Sequence, residues 1–321
     1  MNKRSFSWSL LALVCATILF NGCGDPDKNK LIFKPEVNVA RNVNVSDAMT
    51  MSMNLMGMEM TIGNTKDTTY IMTPKAVDEA GNVTLDVTYD RIDTEVTGLD
   101  SLLGGANMPN VPGLEDPMGV TAMEKALEVM KGETFTLRVS RFGEVLGVEG
   151  ADSIAAKVAD AYDSPAHIPG ADMKASLRQG LGDSGTVELM KQIFMKAPDQ
   201  ALNPGDSWQE TITRDDLAIP TNITSTITVG GRDAGILTLN SVDQYNFDFT
   251  KGPLGKAMTS GSASATLSGE GSGTAEYEEA TGWPRKFVST AKASGSMSPA
   301  AGISFPMEIS AKSEVASYAS P

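Results

Sequence analysis

Apolar and polar residues alternate along residues 37–96, and this period of two constrains the fold more than any other feature of the chain. Successive side chains on a strand point to opposite faces, so the alternation predicts half-buried β-strands. The apolar positions share one parity and then change to the other, in the order Val43, Val45, Met49, Met51, Met53, Leu55, Met56, Met58, Met60 and Ile62. Because the parity changes at Leu55, we predict one long strand interrupted there by a β-bulge.

Further strands are predicted on both sides of the middle of the chain. Residues 68–77 and 83–96 flank 78–82, a turn rich in residues that tolerate unusual φ angles. The others fall at 134–139, 144–148, 208–213, 222–229, 236–249, 263–277, 285–293 and 303–315. Gly, Ser, Thr and Ala are prominent in the last strands, which indicates close-packed or edge strands.

Two stretches have helical periodicity. Thr121 and Glu124 have the spacing of a capping box, and Gly132 ends the predicted helix. Its predicted apolar face carries Met123, Ala126, Leu127 and Met130. Residues 152–195 predict three or four shorter helices broken by prolines and glycines, whereas 98–119, with three prolines and five glycines, predicts a long loop.

These elements predict an α+β fold that is mostly β, with a curved, half-barrel-like antiparallel sheet under a helical layer. The predicted divisions are a signal peptide (1–22), a lipidated tether (23–30), an N-terminal β region (31–149, including helix 121–131), a helical insert (150–198) and a C-terminal β region (199–321). Residues 31–321 are expected to form one folded unit. Residues 81–85 are similar to 235–239, which is compatible with a duplicated β unit.

The N-terminus predicts export. Lys3 and Arg4 precede an apolar run at 10–20 that is shorter than the roughly 20 residues needed to span a bilayer, as in a signal peptide. Residues 19–23, Leu-Phe-Asn-Gly-Cys, resemble the lipobox of bacterial lipoproteins. The resemblance implies cleavage before Cys23 and acylation of that cysteine, so a membrane is the expected partner. Gly24, where some bacteria use aspartate to retain lipoproteins at the inner membrane, favours the outer membrane, facing the periplasm.

Composition limits the remaining chemistry. The chain has 26 basic and 40 acidic residues and a net charge of −14, which excludes an electrostatic grip on nucleic acid. Its two cysteines are Cys15, within the predicted signal peptide, and Cys23, so the predicted mature body has no disulfide.

We predict no enzyme, cofactor or metal site of the usual ligand types. Residues 182–185, Gly-Asp-Ser-Gly, match a protease phrase, but the single histidine, His167, is not placed as that family requires. We therefore interpret Ser184 as a helix N-cap.

The methionines at 49–60 suggest the function. Their alternation is typical of a packed core face, but flexible Met side chains also line apolar pockets, and thioether clusters bind Cu(I). We predict an envelope lipoprotein that binds a lipid or other apolar ligand in a concavity beneath loop 98–119; the alternatives are a structural or interaction protein with a filled core, and Cu(I) binding. The predicted lining is Met49, Met51, Met53, Met56, Met58, Met60, Met123, Leu127 and Met130.

Four phrases carry a family resemblance, at 78–85, 131–135, 142–145 and 203–208. They are similar to an uncharacterised family of β-rich bacterial lipoproteins, and the resemblance covers most of the mature chain. That family implies no activity, site residue or protein partner. The predicted layout also resembles the folds of periplasmic lipoprotein carriers and mycobacterial lipid carriers.

Overall fold

A computed structural model of the chain describes residues 27–55, 58–98, 120–163, 173–214, 221–248, 264–298 and 304–319. The predicted signal peptide, Cys23, Met56, His167 and residues 99–119 of the predicted loop lie outside these ranges. Within the described ranges, no helix combines the length and the hydropathy needed to cross a bilayer.

One antiparallel sheet contains all eleven strands of the described residues, in the order β5-β4-β3-β2-β1-β11-β10-β9-β8-β7-β6. The strands are β1 (Arg41–Leu55), β2 (Met58–Val77), β3 (Val83–Thr97), β4 (Thr134–Val139), β5 (Val145–Glu149), β6 (Ser207–Arg214), β7 (Thr221–Asp233), β8 (Ile236–Phe247), β9 (Ser264–Glu278), β10 (Pro284–Ser298) and β11 (Phe305–Ala319). The sheet is curved and does not close on itself, which confirms the predicted fold class.

The first two strands form a hairpin, so the predicted β-bulge after Leu55 is wrong. Leu55 pairs with Met58, and Met53 pairs with Met60. With two residues between antiparallel strands, the odd positions of β1 lie beside the even positions of β2, so both parities occupy one face. The parity change in the sequence marks a reversal of the chain, and Gly57, a residue type common in two-residue hairpin loops, is the signal for it.

The strands rich in small residues lie in the middle of the sheet. β9, β10 and β11 are central, whereas β5 and β6 are the edges, so the prediction of edge strands is wrong. The alternative prediction of close packing is confirmed at Gly269, where a Cβ atom would lie 2.4 Å from the carbonyl oxygen of Lys292.

The helices of the described residues are α1 (Val120–Glu128), α2 (Ala151–Ala161), α3 (Met173–Leu181) and α4 (Asp183–Met190). Ser184 lies inside α4, whose N-cap position is Gly182, so the predicted N-cap role of Ser184 is wrong. The first turns of α2 and α4 cap each other instead. The amide of Asp183 donates to Oδ1 of Asp152 over 2.9 Å, and the amide of Asp152 donates to Oδ1 of Asp183 over 3.1 Å.

The main core lies between these helices and one end of the sheet. Helix α2 has buried residues at helical spacing, and Ile154 and Val158 join Val43 and Leu85 of the sheet in that core. We call this the helix-side end of the sheet, and the end that carries Leu55 and Phe305 the distal end.

Residues that precede β1 close the helix-side end. Phe33 packs edge-on against Trp283, with ring centroids 5.0 Å apart, and against Phe194, 5.3 Å apart. Two residues of the predicted tether also contact the body, since Asp27 pairs with Arg141 over 2.8 Å and Lys30 pairs with Asp199 over 2.6 Å. The chain is therefore held to the sheet from residue 27 onward.

Candidate functional site on the concave face

Side chains on the concave face form rows that run across the strands. Asp47 of β1 lies between Lys66 of β2 and Ser313 of β11. The register continues this row across the next three strands, and we call it the polar row: Lys66, Asp47, Ser313, Ser289, Gly273 and Ser241. Hydroxyl and charged groups thus cross a face whose neighbouring row on the helix side includes Val45, Val315 and Leu239.

Toward the distal end the rows become apolar. One row further on, the residues are small or of mixed polarity: Asn64, Met49, Ala311, Ala291, Gly271 and Asp243. We call the next two rows the distal rows. The first consists of Ile62, Met51, Ile309, Ala293, Gly269 and Tyr245. The second consists of Met60, Met53, Met307, Gly295, Leu267 and Phe247. Leu267, Ala293 and Met307 form a buried cluster there.

A cavity of about 500 Å³ lies between the polar row, the small residues beside it and the chain that leaves α4. Ile193 and Met195 line it from the helical layer, and Ile212 and Ile223 line it from β6 and β7. Its volume is in the range of small-molecule sites, and its lining combines apolar walls with a few polar groups, as such sites usually do.

The cavity exists because the central strands carry small side chains. Ala291 and Ala311 lie side by side beneath it, and Gly271 and Gly273 continue the same surface on β9. A Cβ on Gly271 would lie 2.8 Å from Cε2 of Tyr245, so the ring lies directly over this glycine. Ala291 and Ala311 therefore leave the space that larger side chains on β10 and β11 would fill, while the ring of Tyr245 occupies the space over Gly271.

Charged groups stand at opposite sides of the cavity. Burial lowers the pKa of Lys66, on the β2 side, and Asp47 opposes that shift. On the far side, burial raises the pKa of Glu210 and raises that of Tyr245 to about 12. Asp243 is 7% exposed there and accepts a hydrogen bond from Ser241 Oγ over 3.2 Å. Among the described residues, no group of three or more His, Cys, Asp or Glu is arranged to hold a metal ion.

The predicted lining residues separate into three groups. Met49 lines the cavity and is 45% exposed, whereas Met51 and Met53 pack against the distal cluster. Met60 of β2 pairs with Met53 of β1. Met58, the first residue of β2, pairs with Leu55, and its side chain is not among those that the structure describes. The helical members do not line the cavity, since Met123 and Leu127 pack against the main core and Met130 lies within it.

The polar members of the site were missed from the sequence. Lys66 and Asp47 have the same parity as the apolar residues of β2 and β1, so they lie on the same face. A charged residue at an otherwise apolar position was the signal in the sequence that could have identified them. Ser313, Asp243 and Glu210 had no comparable signal, because their places in the cavity depend on pairings between strands that are distant in the chain.

A family profile decides where the chain belongs. The profile is described as a family of unknown function, DUF6263, and it matches residues 80–284. The chain belongs to this family. The DUF6263 match includes β3 to β9 and all the described helices, and it therefore contains the strands β6 to β9 that line the cavity. No curated protein matches the chain.

Solved structures give distant likenesses. Lipovitellin, studied for its lipid–protein interactions, has a TM-score of 0.44 and 8% identity over 88% of this chain, which spans only 26% of the lipovitellin chain. An outer membrane channel from Pseudomonas putida F1 has a TM-score of 0.23 and 9% identity, covering 92% of this chain and 100% of its own. A DUF1329 protein from Desulfovibrio piger has a TM-score of 0.14 and 10% identity, over 84% and 83% of the two chains. These scores do not establish a shared fold with the DUF6263 chain.

Proposed function

We propose that this protein binds an apolar or amphipathic ligand, such as a lipid, in the concave cavity, and that acyl groups on Cys23 hold it at a membrane of the cell envelope. The observation that carries the binding proposal is the cavity of about 500 Å³ beside the apolar distal rows. A structural protein with a filled interior would place larger side chains where Ala291 and Ala311 lie. The small residues therefore favour binding over the filled-core alternative.

Native mass spectrometry tests the proposal directly. The full-length protein would be purified from its own envelope without detergent, and we expect a species heavier than the lipidated chain by the mass of a bound amphiphile. Delipidated protein should then take up a fluorescent fatty acid. A species with no added mass, together with no uptake of the probe, would refute ligand binding.

A cavity-filling variant locates the site. We expect Ala291→Phe to weaken binding of the fluorescent fatty acid about tenfold or more, because the ring occupies space beside Ala311 and Gly271. The matched control is Thr290→Phe, one residue earlier on β10, whose side chain points to the opposite face. Titrations of the two folded variants are compared with the wild type. Wild-type affinity in Ala291→Phe would place the ligand elsewhere.

A second candidate function is Cu(I) binding, which the distal end favours through one specific arrangement. Met60, Met53 and Met307 lie side by side on β2, β1 and β11. Directly opposed residues have Cβ atoms about 4.5–5.5 Å apart, so three thioethers are within reach of one ion. Soft sulfur ligands select Cu(I) over harder metals.

For Cu(I), we expect the wild type to withdraw the ion from a chromophoric chelator under anaerobic conditions. Met53→Leu and Met307→Leu should each weaken that competition about tenfold, because each removes a sulfur ligand while nearly preserving volume. Met49→Leu, on the same strand but outside the triplet, is the control and should compete like the wild type. Competition that is equal in all four proteins would exclude the triplet as a site.

A further inference from the structure

The polar row contains hydrogen-bonding groups that no described residue satisfies. Ser313 Oγ is buried, and within the described ranges it has no hydrogen-bond partner. Thr94 Oγ1 is also buried without a hydrogen-bond partner among the described residues. Thr94 lies on β3 and pairs with Lys66, at the β2 end of the row. Buried polar groups are nearly always paired in native proteins, so the hydroxyl of Thr94 beside Lys66 and that of Ser313 on the far side of Asp47 require an explanation.

Lys66 is the cation of this row. Its ammonium is desolvated, and no carboxylate of the described residues lies within 4.0 Å of Nζ, although Asp47 is its direct neighbour across the strands. Asp47 nevertheless favours the charged form of Lys66 through its field. A desolvated ammonium without a close counter-ion is a strong site for an anion.

The carboxylates that line the cavity are Asp47, Glu188, Asp243 and Glu210. Glu188 of α4 is paired with Lys191 over 2.6 Å. Asp243 lies on β8 and Glu210 on β6, which are five and seven strands away from Lys66. Adjacent strands are about 4.8 Å apart, so Asp243 and Glu210 are remote from Lys66 along the sheet. On the concave face of β1 and β2, as far as the structure describes them, Asp47 is the carboxylate beside Lys66. An anion that pairs with Lys66 must therefore lie on the side of the ammonium away from Asp47.

The distal rows then accommodate an apolar tail. From the polar row at Asp47 to the distal row at Met53 is six residues along β1, a distance of about 20 Å. The surface between them includes Met51, Ile309 and Ala293. The concave face is therefore polar at the level of Lys66, mixed in the next row and apolar in the two distal rows beyond it.

We propose that the ligand is an anionic amphiphile whose carboxylate or phosphate pairs with Lys66 on the side of the ammonium away from Asp47, with its tail along the distal rows. This inference rests on the proposed ligand-binding function and specifies the chemistry of the ligand. The hydroxyl of Thr94 stands beyond Lys66 as a further donor for the same group.

The test compares three probes with one tail length: a fluorescent long-chain carboxylate, its methyl ester and the corresponding alkyl phosphate. We expect Lys66→Met to weaken binding of the carboxylate and phosphate about tenfold or more while changing binding of the neutral ester less than about threefold, since only the anions lose an ionic partner. Lys66→Arg, which keeps the charge, should retain most of the affinity. Lys286→Met, an exposed lysine at an even position of β10, is the control for the same change in net charge.

The outcomes separate the two proposals. If the wild type binds none of the probes, ligand binding itself fails. If it binds all three and Lys66→Met binds them as the wild type does, ligand binding stands and the anionic headgroup is refuted. Preference for the carboxylate or the phosphate identifies the source of the charge. A loss of affinity for the ester equal to that for the anions would reduce Lys66 to a structural role and overturn the assignment.

Discussion

Replacing Cys23 with serine is expected to abolish incorporation of labelled palmitate and to remove the protein from the membrane fraction. The proposed anchor is a set of acyl chains attached through this cysteine, and stable anchoring requires more than one chain. The effect should therefore be a complete loss of labelling rather than a reduction.

Cys15 provides the matched control, because it is the other cysteine of the chain and lies eight residues earlier. Cys15→Ser should be labelled like the wild type. Labelled palmitate in Cys23→Ser would refute acylation at Cys23. Wild-type protein that carries no label, yet is exported and cleaved, would indicate an ordinary secreted protein.

The largest expected effect on folding is that of Trp283→Ala. Trp283 is 2% exposed and contacts Phe33 and Phe194, and the guanidinium of Arg41 lies 5.5 Å from the centroid of its ring. Truncating a buried Trp costs about 3–5 kcal/mol, and here the loss also includes a cation–π contact. Urea denaturation should show the free energy of unfolding lowered by about that amount.

Trp208 is the natural comparison. It is half-buried on the edge strand β6, so Trp208→Ala should lower the free energy of unfolding by less than about 2 kcal/mol. If both variants lose the same stability, the aromatic cluster at the helix-side end is not the main contact between the N-terminal segment and the sheet. Limited proteolysis of Trp283→Ala should also show earlier cleavage near Phe33, since that residue loses its ring contact.

Local patterns in the sequence were sufficient for most of the elements. Strand β4 is where the alternation at 134–139 predicts it. The apolar face of α1 packs inward as its spacing predicts, with Ala126 buried and Met123 and Leu127 against the main core. Both follow from periodicity within a few residues. The hairpin between β1 and β2 was missed because a change of parity has two physical causes, a bulge and a reversal, and the alternation alone does not separate them.

The candidate site was less accessible, because it depends on register between strands that are far apart in the chain. Val43 pairs with Ser317, and Met53 pairs with Met307, across more than 250 residues. No local pattern specifies that β1 and β11 are neighbours, so the polar row could not be assembled from the sequence. Of the methionines at 49–60, Met49 lines the cavity, whereas the cavity residues Lys66 and Ser313 were not among the predicted site residues.

The attachment of Asp27 and Lys30 at the helix-side end fixes which end of the sheet lies beside the N-terminal segment. If Cys23 is in the bilayer, residues 23–26 reach at most roughly 14 Å, which keeps that end close to the lipid surface. The 15 residues of β1 then extend about 50 Å toward the distal end. A molecule leaving past Met53 and Met307 would emerge at the end of the sheet opposite the attachment of Asp27 and Lys30.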